Sequence, residues 1–245
     1  MDELAKSIEN AAKLAGGKGL IRFTRFLDPA QLAECAALAV EYGAAYDSFG
    51  GYEGAERQIG CFFPKGDIVN HTEYPLVCLH SRYSSRFCSI SHRDLLGSFM
   101  ALGLTRSCIG DIIIVGSDIY LFADEKTADY IVASMTGAGR AVLCFSRLSV
   151  VPPMSEPAGE SFSCIVSSMR LDAVLAGAYR LSRSEAQDAI RAGLVKVDHL
   201  VCMRVDALTK ENTLLSLRGK GRVRLKSIDG TTRKQRIGIT LFRYV

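Results

Sequence analysis

Residues Leu181 to Asp198 read LSRSEAQDAIRAGLVKVD. This short stretch holds a helix start, a helix stop and a strand. Ser182, followed three residues later by Glu185, is a capping-box pattern in which each side chain answers the other's backbone N–H. Ala186, Ala189 and Ile190 recur at helical spacing and predict an inward stripe. Gly193 stops the helix, because glycine enters the left-handed region at little cost. Val195-Lys196-Val197 then alternates as a strand, with Lys196 opposite the two valines. Asp198-His199-Leu200-Val201 turns it.

Upstream, SSMRLDAVLAGAYR (167–180) predicts a helix starting near Ser167 or Ser168. Leu171, Val174, Leu175 and Ala178 form its apolar stripe. Downstream, TLLSLRGKGRVRLKSI (213–228) continues in β pattern, Asp229-Gly230 signals a tight turn, and RKQRIGITLFRYV returns as the last strand. Two short helices on a small sheet result. Their cations are placed by the same periodicities. Arg170 opens the first helix, Arg183 sits in the first turn of the second, and Gln187 lies one turn later on the same face. Lys220, Arg222, Arg224 and Lys226 share one side of an extended chain, with Val223 and Leu225 on the other. Guanidinium forks bind phosphate oxygens bidentately and ammonium groups add point charge. The expected phosphate contacts are Arg170, Arg183, Gln187, Lys196, Lys220, Arg222 and Arg224, with the Ser184 hydroxyl beside them. Arg170 and Arg183 form a clamp at the helix starts, and Lys220, Arg222 and Arg224 a positive strip next to it.

The charge distribution agrees. Residues 161–245 carry 16 Lys+Arg and 7 Asp+Glu, a net +9, whereas residues 1–160 carry 14 and 19, a net −5. A basic third on a mildly acidic body fits a polyanionic partner. VPPMSEPAGE (151–160), with three prolines, divides the two, and residues 153–160 are its linker. No apolar run approaches the roughly 20 residues of a membrane helix, and the N-terminus is an acid-containing amphipathic segment rather than a secretory signal. Eight cysteines fall in no CxxC pair. They read as buried, reduced thiols of a cytoplasmic protein, with no metal site and no cofactor.

Residues 76–152 alternate as strand (LVCLHSRY), helix (SHRDLLGSFMALG), two strands (DIIIVGSDIYLFAD), helix (EKTADYIVASMTGAG, ended by its glycines) and strand (RAVLCFSRL). That is the βαββαβ plan of ferredoxin- and RRM-like domains. The aromatic-rich signature strand of an RNA recognition motif is absent. Arg93 and Arg106 flank its first helix and are further RNA-contact candidates. Residues 1–75 form an N-terminal α/β segment: Asp28-Pro29 caps the helix AQLAECAALAVEYGAAY, and GGYEGAERQIGCFFP turns into a strand. The glycines around Tyr52 and Arg57 read as a turn rather than a phosphate loop. The fold class is α+β in three parts: 1–75, 76–152 and 161–245.

MRLDAVL, LSRSEAQDAIRAGLVKVD and LRGKGRVRL come in the order and spacing of the S4 RNA-binding domain, which they closely resemble. Asp198 stands where that family usually has Asn, and its negative charge removes it from the expected contacts. RFLDP, FGGYEGAERQIGCFFP and SHRDLLGSFMALGLTRSCIGDIII resemble the YlmH family of S4 proteins, and the likeness covers nearly the whole chain. The resemblance implies a C-terminal S4 domain and binding to large ribosomal subunits blocked by peptidyl-tRNA, in ribosome-associated quality control. It also implies a genomic link to cell division. Expected partners are structured RNA (rRNA and tRNA) and a ribosomal subunit, with no membrane and no small-molecule substrate.

Two other classes compete with non-enzymatic RNA binding. An RNA-modifying enzyme needs a catalytic Asp or a glycine-rich cofactor loop. Asp94 in SHRDLLG reads as the capping partner of Ser91, and no such loop is present. An adaptor linked to cell division would use residues 1–75. Assays for RNA modification and sedimentation with ribosomal subunits separate the three.

Overall fold

The computed structural model describes residues 3–86, 88–153, 159–231 and 235–244. It divides into two compact units, 1–154 and 155–245. The first unit holds both the N-terminal segment and the βαββαβ segment. Of the expected linker, residues 154–158 lie outside the described residues, and a strand already begins at Gly159. Among the described residues no helix is long and apolar enough to cross a membrane.

The N-terminal segment runs α1 (Glu3–Lys18), β1 (Arg22–Leu27), α2 (Pro29–Tyr42), β2 (Ala45–Phe49) and β3 (Gln58–Phe63). Its antiparallel sheet has the order β1-β3-β2. Asp28 caps α2 as its sequence predicts: its side chain accepts from Gln31 N while Gln31 answers at Asp28 N. Gly43, at φ 70, ends the helix in the left-handed conformation.

The rest of the unit comprises β4 (Leu76–Arg82), α3 (His92–Ala101), β5 (Ile109–Val115), β6 (Asp118–Asp124), α4 (Glu125–Ser134), a small hairpin of β7 (Gly137–Ala138) and β8 (Ala141–Val142), and β9 (Ser146–Leu148). The order β5-β6-β4-β9, antiparallel throughout, is that of a ferredoxin-like sheet. Gly116, at φ 61, supplies the turn between β5 and β6. Ser91 and Asp94 form the expected capping box of α3.

Two details differ from the sequence reading. The second helix ends at Ser134, because Gly137 and Gly139 belong to the β7–β8 hairpin rather than to a cap. The run 140–148 is correspondingly broken into β8 and β9.

Alternation divides the ferredoxin-like sheet into two covered faces. Leu79, Ile112, Ile119 and Leu121 pack under α3 and α4 with Leu95, Phe99 and Ile131. Cys78 and Phe122, on the other face, pack on Phe26, Ile59, Cys61 and Phe63 of the N-terminal segment. A polar latch fixes that contact. The Asp111 carboxylate accepts from Tyr52 Oη (2.9 Å), Glu56 N (2.7 Å) and Arg57 N (3.2 Å). Burial raises its pKa and these donors oppose the rise. Arg57 donates to the carbonyls of Ile109, Phe26 and Arg106. The glycine-rich turn is therefore a structural brace, and Tyr52 and Arg57 are committed within the protein.

The second unit runs β10 (Gly159–Val166), α5 (Leu171–Tyr179), α6 (Arg183–Arg191), β11 (Val195–Val197), β12 (Leu200–Val201), β13 (Leu214–Leu217), β14 (Gly221–Thr231) and β15 (Ile237–Tyr244). Its sheet has the order β10-β15-β14-β13-β11-β12. The core joins Leu171, Val174, Leu175 and Ala178 of α5 and Ala186 and Ile190 of α6 to Val195, Leu215, Val223, Leu225, Ile239 and Leu241 of the sheet. α5 begins three to four residues later than expected, with Arg170 at its N-cap. Asp229-Gly230 makes no turn: β14 continues through it to Thr231, with an irregular register between Ile228 and Gly230. Asp229 instead accepts from the hydroxyls of Ser227 and Thr240.

The cysteines are free, as expected, but only Cys35, Cys61 and Cys78 are buried, and Cys144 is exposed. Burial pushes Cys35 up to about 11 and Cys61 and Cys78 up to about 12.

Candidate nucleic-acid interface

The start of α6 is built as its sequence dictates. Ser182 Oγ accepts from Glu185 N, and the Glu185 carboxylate accepts from Ser182 N at 2.7 Å. This box fixes the first turn and with it Arg183. The start of α5 is held differently: Leu171 N donates to Ala207 O at 2.7 Å and Asp172 N to Val205 O at 3.2 Å.

Three of the expected contacts meet at one atom group. Asp172 is fully buried. Its Oδ1 accepts from Arg170 Nε (3.1 Å) and Arg183 Nη2 (3.3 Å). Its Oδ2 accepts from Arg183 Nε (3.1 Å), Arg170 Nη2 (3.3 Å) and Gln187 Nε2 (2.9 Å). Burial alone would raise the pKa of this carboxyl. The bonds from Arg170, Gln187 and Arg183 outweigh it and hold the group well below the usual carboxylate range. The guanidinium side chains remain 39% and 48% exposed. One buried anion thus gathers two cations at the surface and leaves one net positive charge there. Arg183 Nη1 also reaches Ser167 Oγ at 3.4 Å.

The basic strip lies elsewhere. Val223 and Leu225 face the helices and are fully buried. Arg222 and Arg224 therefore point from the opposite face of the sheet, not beside the helix starts as the sequence reading had it. There Arg224 Nε donates to Tyr244 Oη (2.7 Å) and Nη1 to Asn212 O (3.1 Å). The Arg222 guanidinium stands 5.2 Å from the Tyr244 ring centre, and Lys226 Nζ 5.2 Å from that of Phe242. Lys196 pairs in register with Ser216, which pairs with Arg222, so Lys196 joins this face. Lys220 is exposed in the turn between β13 and β14, ahead of the strand.

Ser184 is exposed in the first turn of α6, and Arg93 in that of α3. Arg106 is not on an open surface. Burial lowers its pKa, its carbonyl accepts from Arg57, and its Nη1 is buried with no hydrogen-bond partner among the described residues. Asp198, at φ 46, accepts from Leu214 N at 2.8 Å, which explains a short acid at this turn.

Sequence reasoning missed Asp172, Phe242 and Tyr244. Asp172 sits two residues after Arg170, a spacing that periodicity does not single out. The two aromatics alternate with Leu241 and Arg243 in LFRY, and pairing β15 with β14 in register would have set them beside the arginines.

Two short helices on an antiparallel sheet, with a guanidinium pair at the helix starts, define an S4-type domain, here joined to a ferredoxin-like one. Residues 169–203 match the S4 domain model, and residues 70–150 match the model described as "Putative RNA-binding domain in YlmH". The chain is 34% identical over 225 residues to the Ribosome-associated protein quality control protein P2 of Bacillus subtilis (strain 168), covering 91% of this chain and 87% of that protein. This chain belongs to the YlmH family. The solved structure of the cell division protein ylmH from Streptococcus pneumoniae shares the fold at a TM-score of 0.53 and 16% identity, over 59% of this chain and 88% of that one.

Proposed function

We propose that this chain is a non-enzymatic, cytoplasmic RNA-binding protein of ribosome-associated quality control. It engages rRNA and tRNA on the large ribosomal subunit carrying peptidyl-tRNA. We further propose that 1–75, 76–152 and 161–245 act as three functional segments, the first two packed in one unit. The observation that carries the RNA reading is the pair Arg170 and Arg183, held side by side on the buried Asp172 carboxylate with Gln187. Two like charges would repel in isolation. Fixed on a shared anion, their outward N–H groups match phosphate oxygens without further ordering. Ser184 adds an exposed hydroxyl at the same helix start, and Arg93 an exposed cation on the first unit. The quality-control role is supported by the name of the Bacillus relative. Neither matched domain description names a catalytic activity, and Asp94, the acid an RNA-modifying reading would use, is spent on capping α3.

The test is co-sedimentation of the full chain with purified ribosomal subunits across a salt series. Arg183→Glu should weaken binding and flatten the slope of log affinity against log salt, because each lost phosphate contact releases fewer counterions. Unchanged affinity and slope would remove Arg183 from the interface. Failure of the unaltered chain to sediment with either subunit would sink the reading.

A further inference from the structure

We propose that the outer face of the S4 sheet is a stacking site for unpaired RNA nucleotides, formed by Phe242 and Tyr244 with Arg222, Arg224 and Lys226. The proposal rests on the RNA-binding reading above and adds a second surface with a different ligand class.

The site follows from strand pairing. Arg224 pairs with Phe242 across β14 and β15, and Val223 with Arg243, which sets Arg222 beside Tyr244. The two rings meet edge to face, 5.1 Å apart at 84°. Cations flank them on both sides, Lys226 at Phe242 and Arg222 at Tyr244. The result is a row of cation, ring, ring and cation on the sheet face opposite α5 and α6. Both rings are partly exposed rather than core. Gly159 of β10 lies against Phe242: a Cβ at that position would fall 2.3 Å from the Arg243 carbonyl oxygen and 2.5 Å from carbons of the Phe242 ring. Asp229 is the one carboxylate on β14 and β15, and two hydroxyls already hold it.

Aromatic rings beside cations are what single-stranded nucleic acid requires. A base stacks on the ring, and the displaced cation moves to the phosphate that the base carries. A duplex presents its phosphates but hides its base faces, so this surface should favour unpaired RNA. The helix-start clamp lacks any ring and reads only backbone, so it should favour folded RNA. Chemistry thus separates the two surfaces.

Fluorescence anisotropy of the full chain with a short labelled oligouridine and with an RNA hairpin closed by a compact tetraloop of stacked bases tests this. Tyr244→Leu keeps apolar bulk and removes the ring. It should weaken oligouridine binding about tenfold, the loss of roughly one stacked base. Hairpin binding should stay within about twofold, and Tyr244→Phe should restore oligouridine binding. Phe242→Leu is the parallel variant if Tyr244→Leu does not fold. Equal oligouridine affinity of variant and unaltered chain would overturn the stacking site, as would equal loss with both RNAs. If the unaltered chain binds the hairpin but not oligouridine, the stacking site falls while the RNA reading stands. If it binds neither, both fall.

Discussion

Both units contain an antiparallel sheet with two helices on one face, and they differ in what happens on the other. In the first unit the second face is taken by the N-terminal segment, through Phe26, Ile59, Cys61 and Phe63 against Cys78 and Phe122. In the second unit it carries Arg222, Arg224, Lys226, Phe242 and Tyr244, partly exposed. The same layer plan therefore does two jobs. A ferredoxin-like sheet is a familiar RNA platform when its central strands show aromatic rings to solvent. Here the central-strand ring Phe122 is fully buried under Gly51 and Tyr52. The RNA contacts proposed for the first unit then fall to its loops and helix ends, such as Arg93, rather than to that part of its sheet.

The largest expected effect breaks the first half of the comparison. Phe122→Ala should cost about 3–5 kcal/mol, because a fully buried ring contacts both the sheet and the N-terminal segment. Denaturant unfolding of the full chain checks it. The S4 core shares no residue with this cluster, so a two-step curve with only one step shifted is expected. A loss under about 1 kcal/mol would mean that the N-terminal segment does not depend on this face.

Asp172→Asn comes next. It keeps shape and removes the charge that gathers Arg170, Arg183 and Gln187, and should cost about 2–3 kcal/mol. RNA affinity should fall even though net charge rises by one, because the arginines lose their fixed positions. An affinity that rises instead would show that Asp172 only offsets their charge. The carboxyl has a folded-state pKa below its unfolded value. An unfolding chain therefore takes up a proton before the folded one does, and this share of stability is fully present near neutral pH. It fades as pH falls below about 5 and is gone only beneath the folded pKa. Melting curves between neutral and acid pH should be flatter for Asp172→Asn than for the unaltered chain.

How much of this was legible in the sequence varied with the range of the interactions. Local rules were enough for the caps at Asp28, Ser91 and Ser182, the stop at Gly193 and the strand–helix order that builds the ferredoxin-like sheet. Burial of alternate residues in RVRL followed from period two alone. Range was the limit elsewhere. Arg106 looks like a surface cation because nothing nearby in sequence announces Arg57, forty-nine residues earlier, beneath it. The Asp229-Gly230 turn failed because partners on β15 hold that pair in a strand. The strip and the clamp both read as basic, but only the register of β14 with β15, and the side taken by the helices, could place them on different faces.

Gly193→Val tests a part of the S4 unit that sequence did settle. Gly193 sits at φ 68, where a β-branched residue is strained by about 1–2 kcal/mol. A Cβ there would meet Val201 at an ordinary 3.7 Å, so the cost is in the backbone and not in crowding. The melting temperature of the S4 transition should drop while that of the first unit holds. Unaltered melting would reject the left-handed assignment.

The smallest effect sharpens the comparison most, because it uses the same device in both units. Ser91 and Ser182 each cap a helix through a box with an acid three residues on. Replacing either by Ala should cost about 1 kcal/mol, the ordinary value of an N-cap. Their effects on RNA should nonetheless part. Ser182 fixes the turn that carries Arg183, so Ser182→Ala loosens the clamp and should lower affinity for folded RNA about twofold to threefold, less than 1 kcal/mol. Ser91→Ala loosens a helix start whose arginine, Arg93, is held by no buried carboxylate among the described residues, and affinity should not measurably change. Equal losses in the two variants would place RNA contacts of similar weight on both units and erase the distinction drawn between their sheets.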